Sequence, residues 1–419
     1  MKYLIFLGDG MADYPIDSLG KKTPLEASDT PNMNELVKNS KLGRLITLPK
    51  GMPTGSAVAN LTVLGYDPRE CFQGRGVLEA ASMGVELDKN DVALRCNLIC
   101  VIDGKIKNHS AGHISDEEAK VLIEDLDEHL GNDRIEFYNG LSYRHLLVLK
   151  NNKDGEKDKD CEKEFSSKII CHPPHDFLGE DINELLIKPE NDNDENSVQT
   201  SNVLNELIKK SHEILNNHPV NKKRISEGKD PANSIWPWSP GKKPKMELFE
   251  KKFGMKGAII SAVDLVKGMS VYAGLDVINV EGATGLYDTN YEGKADACVN
   301  ALADHDFVYV HVEAPDEAGH EGDAELKKKT IEDFDKRLIG RVLEKIETEG
   351  NLKDNVSMAV LPDHFTPITV KTHTREPVPF MIYRPGKEGD GLSEFSEKNA
   401  EKGSFGILER DQFIKEFLR

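Results

Sequence analysis

Apolar and polar positions follow two regimes along this chain. From residue 2 to about 67, and again from about 257 to the end, short continuous apolar runs alternate with stretches of helical spacing. The runs at 3–7, 257–263, 277–280, 307–312 and 356–361 carry no strict alternation, which predicts parallel strands buried on both faces. Stretches such as 324–345 between them repeat apolar residues at helical intervals. Strand and helix in turn predict an α/β fold with a doubly wound, mostly parallel sheet.

The middle of the chain breaks this rhythm. Apolar segments at 92–101, 114–130, 135–150 and 203–215 predict a smaller α/β unit. Two charge-rich stretches, 151–164 and 188–201, read as solvated surface loops. The expected organisation is therefore a discontinuous domain at 1–72 and 256–419, with an inserted domain at 73–255 that emerges after the Gly65-Tyr66-Asp67-Pro68 turn. No internal repeat is found.

Composition narrows the class. A chain of 419 residues exceeds one ordinary core, so two domains are expected. With 38% hydrophobic and 30% charged residues it reads as globular, and a net charge of −19 excludes a nucleic-acid binder, which needs a basic face. A small anionic substrate stays compatible if arginines gather locally. No run approaches the roughly 20 apolar residues of a membrane helix, so no membrane partner is expected. The apolar start of MKYLIFLGDG is short and lacks a small-residue cleavage site, so it reads as a first strand rather than a signal peptide. Six scattered cysteines without paired spacing fit a reducing cytoplasm.

Chemistry clusters after three of the apolar runs. Asp9 follows the first, Asp316 and His320 follow 307–312, and Asp363-His364, with His373 beyond, follow 356–361. Carboxyl ends of adjacent parallel strands open on one crevice, so these distant residues can meet there. An isolated Asp-x-x-x-His is ordinarily a helix-surface pair, but Pro315, Gly319 and Gly322 make a regular exposed helix doubtful and favour a ligand loop. Neighbours such as Asp363 and His364 at a strand end can serve two ions a few ångström apart. Carboxylates and imidazoles without thiolates point to Mn²⁺, Zn²⁺ or Mg²⁺. Ser56 falls at the expected start of a helix closed by Gly65, where a phosphate or alkoxide is favoured, although serine is also a common N-cap.

Several segments together, FLGDGM, the glycine-serine-helix-LGYDP stretch, GRGVLEA at 74–80, RCN at 95–97, GATGLYDTNYEGK at 282–294, DEAGHEGD at 316–323 and the DH and TH pairs, resemble the archaeal-type cofactor-independent phosphoglycerate mutases of the alkaline phosphatase superfamily. The resemblance runs in order over nearly the whole chain. It implies one divalent ion held by Asp316, His320 and His373, and a second held by Asp9, Asp363, His364 and the Ser56 oxygen. The ions implied are Mn²⁺ first, then Zn²⁺, Mg²⁺ or Co²⁺, with no bisphosphoglycerate. It further implies a small phosphorylated substrate whose phosphoryl group passes to Ser56 and back to the other hydroxyl, under an insertion that excludes water. Arg75, Arg95 and Arg144 would grip substrate carboxylate and phosphate, while Lys294 reads as a solvated lysine.

Two positions depart from the family pattern. An arginine-rich segment is replaced by Asn108-His109-Ser110-Ala111-Gly112-His113, and Ala57 stands where an acidic residue is common. His109 and His113 are candidates for phosphate binding or proton transfer, or for a loop pair bonded to backbone. The altered segment keeps open a phosphotransferase or phosphatase acting on another small hydroxyl compound such as homoserine. A non-catalytic metal-stabilised binding protein ranks last, because every metal-binding side chain is present.

Overall fold

The computed structural model describes all residues except 152–163, 349–351 and 353. Most of the 151–164 stretch, Cys161 included, therefore lies outside the described residues. The chain divides into two compact units, Met1–Phe72 with Lys245–Arg419, and Gln73–Pro244.

The first unit is built on an eight-stranded sheet in the order Asp276–Ile278, Gly257–Ile260, Phe307–Val312, Lys2–Gly8, Val356–Leu361, Val378–Tyr383, Ser40–Ile46, Ile407–Glu409. Lys2–Gly8 pairs in parallel with Phe307–Val312 on one side and Val356–Leu361 on the other. Among the described residues of this sheet, only the two pairings of Val378–Tyr383 are antiparallel. All three central strands are buried almost throughout, because helices cover both faces; a continuous apolar run is what that environment requires. Their carboxyl ends lie side by side, so whatever follows each strand is delivered to one place.

Residues 245–255, expected in the insertion, belong to this first unit. Phe249 is fully buried against Phe307, with ring centroids 4.6 Å apart, and the Tyr66 hydroxyl donates to the Glu247 carbonyl at 2.8 Å. The apolar anchor outweighs the charged residues around it.

The second unit carries an antiparallel sheet in which Val92–Ile102 is flanked by Arg144–Leu149 and Ser234–Lys242, with Ile135–Leu141 beyond and Lys105–Asn108 as a hairpin partner. Among the described residues Ser234–Lys242 pairs with one strand, an edge position that accommodates Pro237 and Pro240. The segment 188–201 is not a loop throughout. Lys188–Pro189 forms a short strand, and a helix runs Glu195–Leu215, capped by Asp194, whose carboxylate accepts from Asn196 and Ser197 amides. Ser197, Thr200 and Ser201 face inward and bond to neighbouring backbone or side chains, so polar composition here conceals a buried helical face.

The five cysteines among the described residues are unpaired. No helix among the described residues is long and apolar enough to cross a membrane.

Candidate metal centre

Asp9 directly follows the first strand, Lys2–Gly8, and is fully buried, as are Asp363 and His364 after Val356–Leu361. Asp316 and His320 lie on a helix, Ala314–Glu321, rather than in a ligand loop. Pro315 fits its first turn, Gly322 closes it at φ 76°, and Gly319 is needed for contact: a Cβ there would lie 2.4 Å from the Thr366 carbonyl. The helix is not exposed, since Asp316 is only 3% accessible.

Two triads result, each with ligand atoms within 4.8 Å of one another: Asp316, His320 and His373, and Asp9, Asp363 and His364. In the first, His320 Nε2 lies 3.0 Å from His373 Nε2 and 3.2 Å from Asp316 Oδ2. His320 Nδ1 donates to the Lys371 carbonyl at 3.0 Å, which turns an Nε2 lone pair toward the triad in the neutral ring. In the second, His364 Nε2 lies 3.4 Å from both Asp9 Oδ1 and Asp363 Oδ2. Thr366 donates its hydroxyl to Asp316 Oδ1, so it accepts from His364 Nδ1 at 3.1 Å, and that ring too presents Nε2 inward. His364 and His373 rings, 4.1 Å apart between centroids, join the two triads.

Ser56 is the first residue of the helix Ser56–Val63, but it is not the cap. Gly55, at φ 148°, occupies that position, and the Ser56 hydroxyl lies 3.2 Å from His364 Nε2. The side chain is thus directed at the second triad instead of at its own helix.

The electrostatics of the centre are those of surplus buried negative charge. Burial pushes the Asp9 carboxyl up, and the charges of Asp363, Glu313 and Asp316 push it further. Burial also opposes ionisation of Asp316, yet His320 and His373 outweigh it and hold that carboxyl well below the usual range. Asp9 Oδ1 is buried without a hydrogen-bond partner. Carboxylates stripped of water at a cost of several kcal/mol each are relieved by a proton or by a compensating cation. The oxygen and imidazole donors suit a divalent ion of the Mn²⁺, Zn²⁺ or Mg²⁺ type, so the residues fit such ions.

Residues around the triads complete the centre, and sequence reasoning missed them. His311 Nε2 lies 2.8 Å from Asp9 Oδ2, with Nδ1 3.3 Å from Ser261 Oγ. Burial holds His311 down near 3, which favours the neutral ring. His311 and Glu313 form a third Asp/His/Glu group with Asp9. Lys294 is a correction: it is 1% accessible, not solvated, and donates to the His311 carbonyl at 2.9 Å, with burial lowering its pKa to about 8. The signal for His311 was a polar side chain inside the otherwise apolar run at 307–312.

The other candidates lie in the second unit, where Arg75 and Arg144 are close enough for their charges to act on Arg95. Arg95 is 8% accessible, stacks over Trp238 at 4.7 Å and pairs with Glu79 at 2.8 Å. Arg144 is exposed, over the Tyr143 ring at 5.7 Å. His109 and His113 approach the same Tyr143 ring edge-on at 5.6 and 6.3 Å. His175, not anticipated, stands 6.0 Å from His109 and 5.4 Å from Trp238 between ring centroids. In a chain of net charge −19 the three arginines make this a local gathering of positive charge.

A family profile described as 2,3-bisphosphoglycerate-independent phosphoglycerate mutase matches residues 37–221. A Methanosarcina barkeri protein of that name is 50% identical over 415 residues, covering 99% of this chain and 98% of its own. The Methanocaldococcus jannaschii mutase 1 is 38% identical, covering 100% and 96%. Among solved structures, a Pyrococcus horikoshii protein matches with a TM-score of 0.81 at 30% identity, covering 100% and 96%. The cofactor-independent phosphoglycerate mutase of Thermoplasma acidophilum matches at 0.67 and 27%, covering 100% and 99%.

Proposed function

The chain belongs to the 2,3-bisphosphoglycerate-independent phosphoglycerate mutases and interconverts 3-phosphoglycerate and 2-phosphoglycerate, and we propose that it does so through a phosphoserine at Ser56 beside two divalent metal ions. The observation that carries the mechanism is the aim of Ser56 Oγ at His364 of the buried Asp9-Asp363-His364 triad, with capping left to Gly55.

Asp316, His320 and His373 would hold one ion, and Asp9, Asp363, His364 and the Ser56 oxygen the other. Bound there, the ions, Mn²⁺ foremost, supply charge neutralisation for the transferring phosphoryl group and a lowered serine pKa. Ser56 Oγ gives up its proton and attacks phosphorus; the bond from phosphorus to the C3 oxygen breaks and that oxygen takes up a proton. The C2 hydroxyl then gives up its proton and attacks the phosphoserine; the bond from phosphorus to Oγ breaks and Oγ takes up a proton, which restores Ser56. The helix N-terminus that carries Ser56 favours the anionic group throughout. Nothing in this cycle needs a bisphosphoglycerate primer.

We read Gln73–Pro244 as the substrate-binding unit. Arg75, Arg95 and Arg144 supply forked donors for carboxylate and phosphate, and His109 and His113 add donors in place of the family's arginines. The reaction belongs to glycolysis and gluconeogenesis, and the unpaired cysteines accord with a reducing cytoplasm.

The test is an enolase-coupled assay with 3-phosphoglycerate and Mn²⁺, without bisphosphoglycerate, free phosphate being followed in the same tube. Intact-mass analysis of the quenched enzyme detects the phosphoserine. Ser56→Ala is expected to abolish both turnover and the adduct. Turnover near wild type in Ser56→Ala would overturn the phosphoserine reading, and free phosphate in place of 2-phosphoglycerate would mark a phosphatase.

A further inference from the structure

Asn60 is fully buried one helical turn after Ser56, where nothing apolar about its side chain explains its place. Side chains on a helix lean toward its N-terminus, so a residue four positions on can reach back to the first turn. Its Nδ2 donates to the Ser56 carbonyl at 2.9 Å and to Asp363 Oδ2, also at 2.9 Å. Both partners can only accept, which fixes the orientation of the amide. Its Oδ1 in turn receives the hydroxyl of Tyr309, fully buried on Phe307–Val312. The amide thus spends both N–H groups and its oxygen on three elements: the nucleophile's helix, the segment after Val356–Leu361, and the central strand between them in function if not in order.

We infer that Asn60, held by Tyr309, is a positioning residue that locks the Ser56 main chain to the metal-binding carboxylate Asp363, and so sets the distance between nucleophile and centre. The inference rests on the reading of Ser56 as nucleophile. Asp363 has two oxygens to orient. Oδ1 accepts from the Gly10 and His364 amides at 3.1 and 2.9 Å, whereas Oδ2 receives only Asn60 among the hydrogen bonds described. Removing Asn60 frees that oxygen to rotate and releases the Ser56 carbonyl from it in the same step. A displacement of about 1 Å between reacting groups costs on the order of 10²-fold in rate.

The experiment compares Asn60→Ala, Asn60→Asp, Tyr309→Phe, the double variant Asn60→Ala/Tyr309→Phe and Ser56→Ala in the Mn²⁺-loaded full chain. The readouts are kcat per folded, phosphorylatable site, KM for 3-phosphoglycerate, Mn²⁺ affinity and the melting curve. Asn60→Ala is expected to lower kcat on the order of 10²-fold with KM little changed. Asn60→Asp, although isosteric, is expected to rescue nothing, because its carboxylate would face Asp363 and the Ser56 carbonyl. Tyr309→Phe is expected to lose less alone and nothing further when added to Asn60→Ala. A merely structural role would lower the melting temperature while leaving kcat per folded site intact. Wild-type kcat in folded Asn60→Ala, or losses in the two single variants that multiply in the double, would overturn the inference alone while Ser56→Ala remains dead. Turnover by Ser56→Ala would remove the nucleophile reading and this inference with it.

Discussion

Replacement of Gly10 by alanine tests whether the two triads are one mechanical unit. Gly10 follows Asp9 directly and adopts φ +57°, a left-handed conformation that costs an alanine roughly 1–2 kcal/mol. A Cβ built there would lie 2.4 Å from Asp316 Oδ1, 2.6 Å from Thr366 Oγ1 and 2.8 Å from the Asp316 Cα, where ordinary contact begins at 3.4 Å. Asp316 on its helix must therefore yield by about 1 Å. Overpacking of that kind adds about 1–3 kcal/mol, which brings the expected loss of stability to roughly 2–5 kcal/mol. The displaced carboxylate belongs to the triad with His320 and His373, and Thr366 sets the orientation of His364 in the other. Both triads should suffer, with kcat falling on the order of 10²-fold and Mn²⁺ affinity weakened. Denaturant titration and the enolase-coupled assay read the two effects separately. A Gly10→Ala protein with wild-type stability and kcat would refute the close packing of Asp9 and Asp316 on which the centre depends.

Three further outcomes follow from other parts of the molecule. Chelation should lower both activity and melting temperature, with recovery on adding Mn²⁺; an ion at a hundred times its Kd contributes about 2.7 kcal/mol per site, and a melting curve indifferent to chelator would exclude a filled centre. Lys327, fully buried, donates to Asp13 Oδ2 at 2.8 Å and to the Thr366 carbonyl at 2.8 Å, tying the segment after Asp9 to the one carrying His364. Lys327→Met should cost about 3–5 kcal/mol because it strands Asp13 in the interior, and Lys327→Met/Asp13→Asn should recover part of that in denaturant titration. His145, in the second unit, is held down to about 4 by burial. Its folded pKa lies below the unfolded value near 6.5, so stability is complete above that pH and falls by roughly 3 kcal/mol as pH drops toward 4. His145→Gln should flatten the dependence, and equal slopes in variant and wild type would show that other groups control it.

What could be read from the chain depended on whether a residue's neighbours in sequence were also its neighbours in energy. The convergence of the three segments carrying Asp9, Asp316 and Asp363 was legible because each follows a strand buried on both faces, and a parallel sheet brings strand ends together whatever their separation. The helix of Asp316 and His320 was misjudged because its glycines answer to contacts invisible in sequence: Gly319 to the Thr366 backbone, Gly322 to a left-handed cap. Ser234–Lys242 was passed over because Pro237 and Pro240 argue against a central strand, and only the sheet shows that it is an edge. The first turns of Glu195–Leu215 were hidden for a similar reason: in polar low-complexity sequence, an aspartate that caps a helix looks like any other aspartate.

The supporting residues pose a sharper version of the same problem. Tyr309 and His311 sit two apart in a strand, so they point to the same face, and that face meets Asn60 on one side and Asp9 on the other. In a run otherwise made of apolar residues, two polar side chains at that spacing have no reason to be buried unless they bond to something equally buried. Here the partners are the buried carboxylate of Asp9 directly and that of Asp363 through Asn60. A polar pair inside a central strand is therefore itself a pointer to the site, independent of any motif. It marks which carboxylates must be held still, and those are the two that share the triad beside Ser56.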